Sequence, residues 1–213
     1  MAVGVHALTT LADVKQALLR FGIETAHDPE LERLIDVATA AFEADTRRRL
    51  KSRVYKPSGA AAGEVNLKLN GDDRLSEARF QLPEYPITAV TALTLRDADL
   101  TNPTVVAVAT DVQMESEEDG ILRFLPTVEH VWRKGVQNIE FTFTAGLLST
   151  HPHFPLLGDL CVRMVKDLFL TRDRQREGLS SLSVEGQSVS YVVRNLPQDV
   201  LDGLMRFRRE PRI

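Results

Sequence analysis

Ile87-Thr-Ala-Val-Thr-Ala-Leu-Thr-Leu95 and Ile139-Glu-Phe-Thr-Phe143 decide the fold class of this 213-residue chain. The first run is β-branched and carries no charge. The second alternates apolar and polar residues strictly, as a strand does with one face buried and one wet. Around them lie Val65–Leu69, Arg79–Leu82, Val105–Val112, Ile121–Phe124 and Val136–Phe143. Asn70-Gly71-Asp72, Pro83, Pro86, Asn102-Pro103 and Asp119-Gly120 separate them. Strand and turn signals at this spacing predict a β-rich region of five or six strands over 53–146.

Both flanks change period. Thr10 ahead of Leu11-Ala-Asp13 is close to a capping box, and Leu11, Val14, Ala17, Leu18 and Phe21 recur at helical spacing until Gly22. A second helix starts at Asp28-Pro29-Glu30, with Asp28 as its expected cap and Leu31, Leu34, Ile35, Ala38 and Phe42 as its apolar stripe. After the β-region, Leu157, Leu160, Cys161, Met164, Val165, Leu168 and Phe169 mark a long helix that opens at Pro155. Residues 178–194 are rich in Ser and Gly and read as a long loop or loose hairpin. A short helix follows over about 197–207, with Val200, Leu201 and Leu204 on one face. Helices on either side of the insertion each carry an apolar stripe, so they must pack together.

The expected fold is therefore α+β. A helical core of two N-terminal helices, one long and one short C-terminal helix is interrupted by the β-rich insertion. Its segments are 1–52, 53–146, 147–205 and a basic arm over 206–213.

A chain of this length buries about 70% of its extended-chain surface and needs no staples. An apolar fraction of 43% and a charged fraction of 26% exclude wholesale disorder and a disulfide scaffold. No apolar run reaches bilayer length, and the N-terminus shows no basic region followed by an apolar one. The lone cysteine, Cys161, suits a reducing compartment.

The net charge of −4 hides an asymmetry. Residues 46–57 carry 6 basic side chains and no acid, whereas residues 58–130 carry 5 basic and 13 acidic ones. Affinity for duplex DNA scales with the phosphates neutralised, so an acidic chain is a poor DNA-binding module. The basic run Arg47, Arg48, Arg49, Lys51 and Arg53 keeps three readings: a solvated helix end, a contact to an acidic neighbouring subunit, or a phosphate contact. The arm Arg206, Phe207, Arg208, Arg209, Arg212 and Ile213 reads as disordered or as docked on a partner, with Phe and Arg as anchors.

No phosphate-binding, dinucleotide-binding or zinc-protease motif is present, and no CxxC. His151 and His153 stand two apart, but the sequence nominates no third ligand. Ser180, Ser181, Ser183, Ser188 and Ser190 lack a nucleophile elbow. Glu115, Glu117, Glu118 and Asp119 read as a solvated turn. Cys161 on an apolar stripe reads as an inert thiol. No catalytic residue, metal site or cofactor is expected.

Several stretches resemble one family in order and spacing. These are Leu8-Thr-Thr-Leu11-Ala-Asp-Val14-Lys, then Leu31-x-x-Leu34-Ile35-x-x-Ala38 followed by Arg47–Leu50. Next come Leu82-Pro-Glu-Tyr85-Pro86-Ile-Thr-x-Val90-Thr-x-Leu93 and Asn138-Ile-Glu-Phe-Thr-Phe143-Thr-Ala-Gly146. The long helix, Gly178–Tyr191 and Pro197–Arg209 complete the order. Over nearly its whole length the chain resembles the head–tail connector proteins of long-tailed bacteriophages and gene transfer agents, also called adaptor or head-completion proteins.

That resemblance implies a structural subunit, without catalytic residues, in a dodecameric ring beneath a portal protein. Its partners would be the portal, neighbouring copies, a neck or tail-completion protein, and double-stranded DNA passing through without specific binding. It implies location in the virion neck, assembly in the host cytoplasm and no membrane. The arm Arg206–Ile213 inherits the portal-facing role. Arg47, Arg48, Arg49, Lys51 and Arg53 become candidates for inter-subunit or channel contacts. Two alternatives remain: a tail-completion or neck protein further from the portal, and a small metal-dependent hydrolase using His151 and His153.

Overall fold

The computed structural model describes residues 3–22, 25–73, 75–76, 78–97, 100, 102–132, 134–176, 181–184, 187–190 and 197–208. The chain divides into two compact units, one formed by residues 1–48 with 149–213 and the other by residues 49–148.

The first unit is helical. Helix α1 (Leu11–Leu18) opens on a complete capping box, in which the Asp13 N–H donates to Thr10 Oγ1 and the Asp13 carboxylate accepts the Thr10 N–H. Helix α2 (Asp28–Thr46) carries Pro29 in its first turn, where a missing N–H costs nothing. Asp28 is inside this helix rather than its cap. The preceding 3₁₀ turn, Thr25–His27, runs straight into it, and the Asp28 carboxylate instead accepts from Lys15 Nζ at 2.7 Å. Helix α4 (Phe154–Arg176) is the longest element, and α1, α2 and α5 (Gln198–Leu204) all pack on it.

The packing follows the stripes. Leu31, Leu34, Ile35, Ala38 and Phe42 of α2 are buried, as are Leu157, Leu160, Cys161, Met164, Val165 and Phe169 of α4. Leu168 is only half-buried. Gly203 of α5 lets the helices approach closely, since a Cβ there would lie 2.8 Å from Leu160 Cδ1. Within the Ser-rich stretch, β9 (Ser181–Val184) and β10 (Gln187–Ser190) pair antiparallel, so its described part is a hairpin.

Among its described residues the second unit holds eight strands. A five-stranded sheet has the order β2-β1-β8-β4-β5, and a three-stranded sheet the order β3-β7-β6. The strands are β1 (Arg53–Lys56), β2 (Val65–Asn66), β3 (Arg79–Gln81), β4 (Ile87–Leu95), β5 (Thr104–Val106), β6 (Val112–Ser116), β7 (Ile121–Phe124) and β8 (Ile139–Ala145). Eight exceeds the expected five or six for two local reasons. The basic stretch Arg53–Lys56 pairs as a strand, and the single-turn helix α3 (Val108–Asp111) splits Val105–Val112 into two. The α+β class and the interruption of helices by strands hold.

Both sheets feed one aromatic core. Trp132 is fully buried and stacks on Phe124 at 4.1 Å between centroids, with Phe80 and Phe141 at 5.1 and 5.8 Å. Tyr55 of β1 stacks on Phe143 of β8. Asn138 is buried at the start of β8, where its Oδ1 accepts the Gly71 N–H at 2.8 Å and its Nδ2 donates to the Arg96 and Lys134 carbonyls. Alternation in β8 matches the sequence reading: Ile139, Phe141 and Phe143 are buried, and Glu140, Thr142 and Thr144 are half-exposed. β4 carries two irregularities in its register with β8, at Thr88 and Thr91. The hydroxyls of these threonines donate to the Thr144 and Thr142 carbonyls.

Candidate assembly surfaces

The C-terminal residues nominated from sequence divide into three cases. Arg206 is exposed. Phe207 is not a free aromatic anchor: it closes the 3₁₀ turn Met205–Phe207, is 5% exposed, and meets the His153 ring edge-on at 6.3 Å. Arg208 makes a two-pronged pair with Asp45, at 2.7 and 3.1 Å. Fork-to-carboxylate bonding of this kind fixes geometry as well as charge, and Asp45 raises the guanidinium pKa further. The aromatic and the second arginine of the arm are thus engaged within the helical unit. A Phe between two Arg looks like a tail in sequence, because only the packing of α5 shows that it turns inward. Arg209, Arg212 and Ile213 lie outside the described residues.

The basic run straddles the end of one unit and the start of the other. Arg47 is exposed and caps α2 in the left-handed conformation (φ 56°), its N–H donating to the Glu43 carbonyl. Arg48 follows half-buried. In the β-unit, the Arg49 N–H donates to Glu84 Oε2 at 3.2 Å. Lys51 is bridged to Leu147, and Arg53 pairs with Ala145. Burial, then the nearby Arg53 charge, lowers the Lys51 pKa below its ordinary value. Gly146 permits this close passage of chains, for at φ +108° a Cβ would lie 2.8 Å from the Lys51 carbonyl oxygen. Lys51 and Arg53 therefore also help to close the sheet.

The His151 and His153 rings are 5.4 Å apart, and the His153 N–H donates to His151 Nδ1 at 3.2 Å. Among the described residues no group of three or more His, Cys, Asp or Glu is placed to hold a metal ion. Cys161 is buried, and loss of solvation pushes its thiol up to about 12 against a weaker opposing bond from Thr39. Glu115 is paired with Arg79, and Ser116 and Asp119 close the turn before Gly120. No described helix is long and apolar enough to cross a membrane.

Sequence reading missed one concave feature. A groove of about 470 Å³ runs between α1 and the first turns of α4, with Leu8, Ala17, Phe154 and Val162 as its apolar floor. Asp13 and Asp159 stand on its rim and no cation lines it. The signal was present in the spacing of Pro155, Gly158, Asp159 and Val162 along α4, which leaves a shallow face beside the buried stripe.

The fold and these surfaces define an α+β protein in which a helical unit is interrupted by a two-sheet β-unit. The chain is similar over its full length to a solved structure described as the neck of an empty GTA particle, computed with C6 symmetry. That likeness covers 100% of this chain and 95% of the other, with a TM-score of 0.61 and 20% identity. No protein-family model and no curated protein matches the chain.

Proposed function

We propose that this chain is a structural subunit of the neck of a phage-like particle, a head–tail connector that assembles as a ring beneath a portal and extends its DNA channel. The observation that carries the reading is the end-to-end structural likeness to a neck chain, in which helical unit and β-unit are matched together. The electrostatics support it. A conduit must let DNA pass, and a net charge of −4 avoids the phosphate contacts that would hold it. A ring of identical subunits needs heterologous faces, and the chain has a basic run at 46–57 and an acidic region at 58–130 to offer.

In this reading the role is non-enzymatic and the location is the virion neck, reached by assembly in the host cytoplasm. Partners are neighbouring copies, the portal on one side and a neck or tail-completion protein on the other. With Phe207 and Arg208 engaged within the subunit, the portal contact falls to Arg206, Arg209, Arg212 and Ile213. Arg47, Arg48, Arg49, Lys51 and Arg53 remain the inter-subunit or channel candidates.

A complementation assay tests the reading. DNA-filled heads made without this chain should fail to join tails, and adding the purified protein should restore joining. Restored joining with 209–213 deleted would move the subunit away from the portal, to a tier lower in the neck. Tails that join equally well without the chain would overturn the proposal.

A further inference from the structure

The α1–α4 groove is apolar below and acidic at the rim, which is a receptor for a surface that is apolar in its middle and basic at its ends. The helical unit itself presents such a surface. On α2, the outward positions Arg33, Val37, Ala40, Ala44 and Arg47 follow steps of four, three, four and three. That is the 3.5-residue period of a packing seam, and it lies on the face away from the buried Leu31–Phe42 stripe. Val37 is 42% exposed, and Ala40 and Ala44 are exposed. Val37 and the two alanines give α2 a narrow apolar strip between Arg33 and Arg47, and the alanines leave room for a close neighbour. Arg33 and Arg47 are exposed, and among the described residues neither side chain is spent on an ion pair. Asp159 is likewise unspent.

We propose that the α2 seam of one copy docks in the α1–α4 groove of the next, with Arg33 and Arg47 facing the Asp13 and Asp159 rim. This rests on the ring reading above and names the contact that would build the ring. Groove and seam are different patches of the same subunit, so the contact is heterologous and propagates from copy to copy. The match is in sign, since the groove lining holds two acids and no base, and opposite potentials fix register between copies.

The test uses Gln16, on the groove, and Ala40, at the middle of the seam. Both are exposed, so their replacement leaves folding nearly unchanged. The full-length Q16C/A40C variant, bound to the portal of its own particle, is treated with a short bis-maleimide. Buried Cys161 stays silent. The expected result is a ladder of trimers, tetramers and larger species, while Q16C alone and A40C alone give none. Reversing one side with D159R should cut the ladder about tenfold, and adding R33D and R47D should restore it. Dimers from A40C alone would mean that seam meets seam, and would overturn the proposal. Rings visible by electron microscopy without a ladder would overturn it while sparing the ring reading. Neither rings nor ladder would overturn both.

Discussion

The two units solve burial in opposite ways. The β-unit closes on itself: Trp132, Tyr55, Phe80, Phe141 and Phe143 are among the largest fully buried side chains of the protein, and all lie in that one core. Its exposed large apolar residues are scattered on loops and at an edge strand, as at Leu75, Leu100, Val105 and Val136. The helical unit is closed mainly by aliphatic stripes with Phe42, Phe169 and Phe207, and it keeps apolar residues outward on helices and their ends, at Leu19, Phe21, Val37 and Met205. The difference lies in where the exposed apolar residues sit: on loops and an edge strand in one unit, on helices and their ends in the other.

That contrast can be broken, starting where the effect is largest. Trp132→Ala should cost about 3–5 kcal/mol in chemical unfolding, because it empties the centre of the aromatic core. A cost under about 1 kcal/mol would mean that the core tolerates the cavity and the contrast is false. Leu160→Ala removes the contact that seats α5 on α4 and should cost about 2–5 kcal/mol. Asn138→Ala removes the side-chain acceptor that the Gly71 N–H shares with the Gly135 carbonyl, and the Nδ2 donor to the Arg96 and Lys134 carbonyls; it should cost about 1–3 kcal/mol, and equal stability would show that water replaces it.

Thr10→Ala removes the α1 cap, for about 1 kcal/mol, and Thr10→Ser should recover most of it. The smallest effect is chemical. With its pKa pushed up to about 12, folded Cys161 stays a thiol at pH 8. It should react with a maleimide only on unfolding, whereas rapid labelling of the native protein would show the helical core to be open. The unfolded thiol ionises near 9, so this group favours the fold below pH 9 and loses that contribution as pH rises toward 12.

Much of the architecture was legible because its signals are local. The Thr10–Asp13 box, Pro29, the stripe Leu31–Phe42 and the alternation of Ile139–Phe143 each specify their own element. What escaped depends on distant partners. Arg53–Lys56 is too short and too basic to announce a strand, and becomes one by lying beside Phe143–Ala145. Trp132 sits in a stretch without periodicity, yet three aromatic residues from other segments surround it. Phe207 looked like an arm because its neighbours are arginines, while α5 turns it inward. Of the candidate site, the charges were readable and their use was not. Arg208 belongs to Asp45, and the acids of the proposed docking contact, Asp13 and Asp159, lie on helices rather than in the acidic β-region.

The most direct measurement is cryo-electron microscopy of the portal complex reconstituted with the full-length protein. The expected result is a closed ring of this chain coaxial with the portal, each helical unit touching two neighbours and the channel open through the centre. A folded protein that leaves the portal bare, or that binds it as isolated copies without a ring, would contradict it.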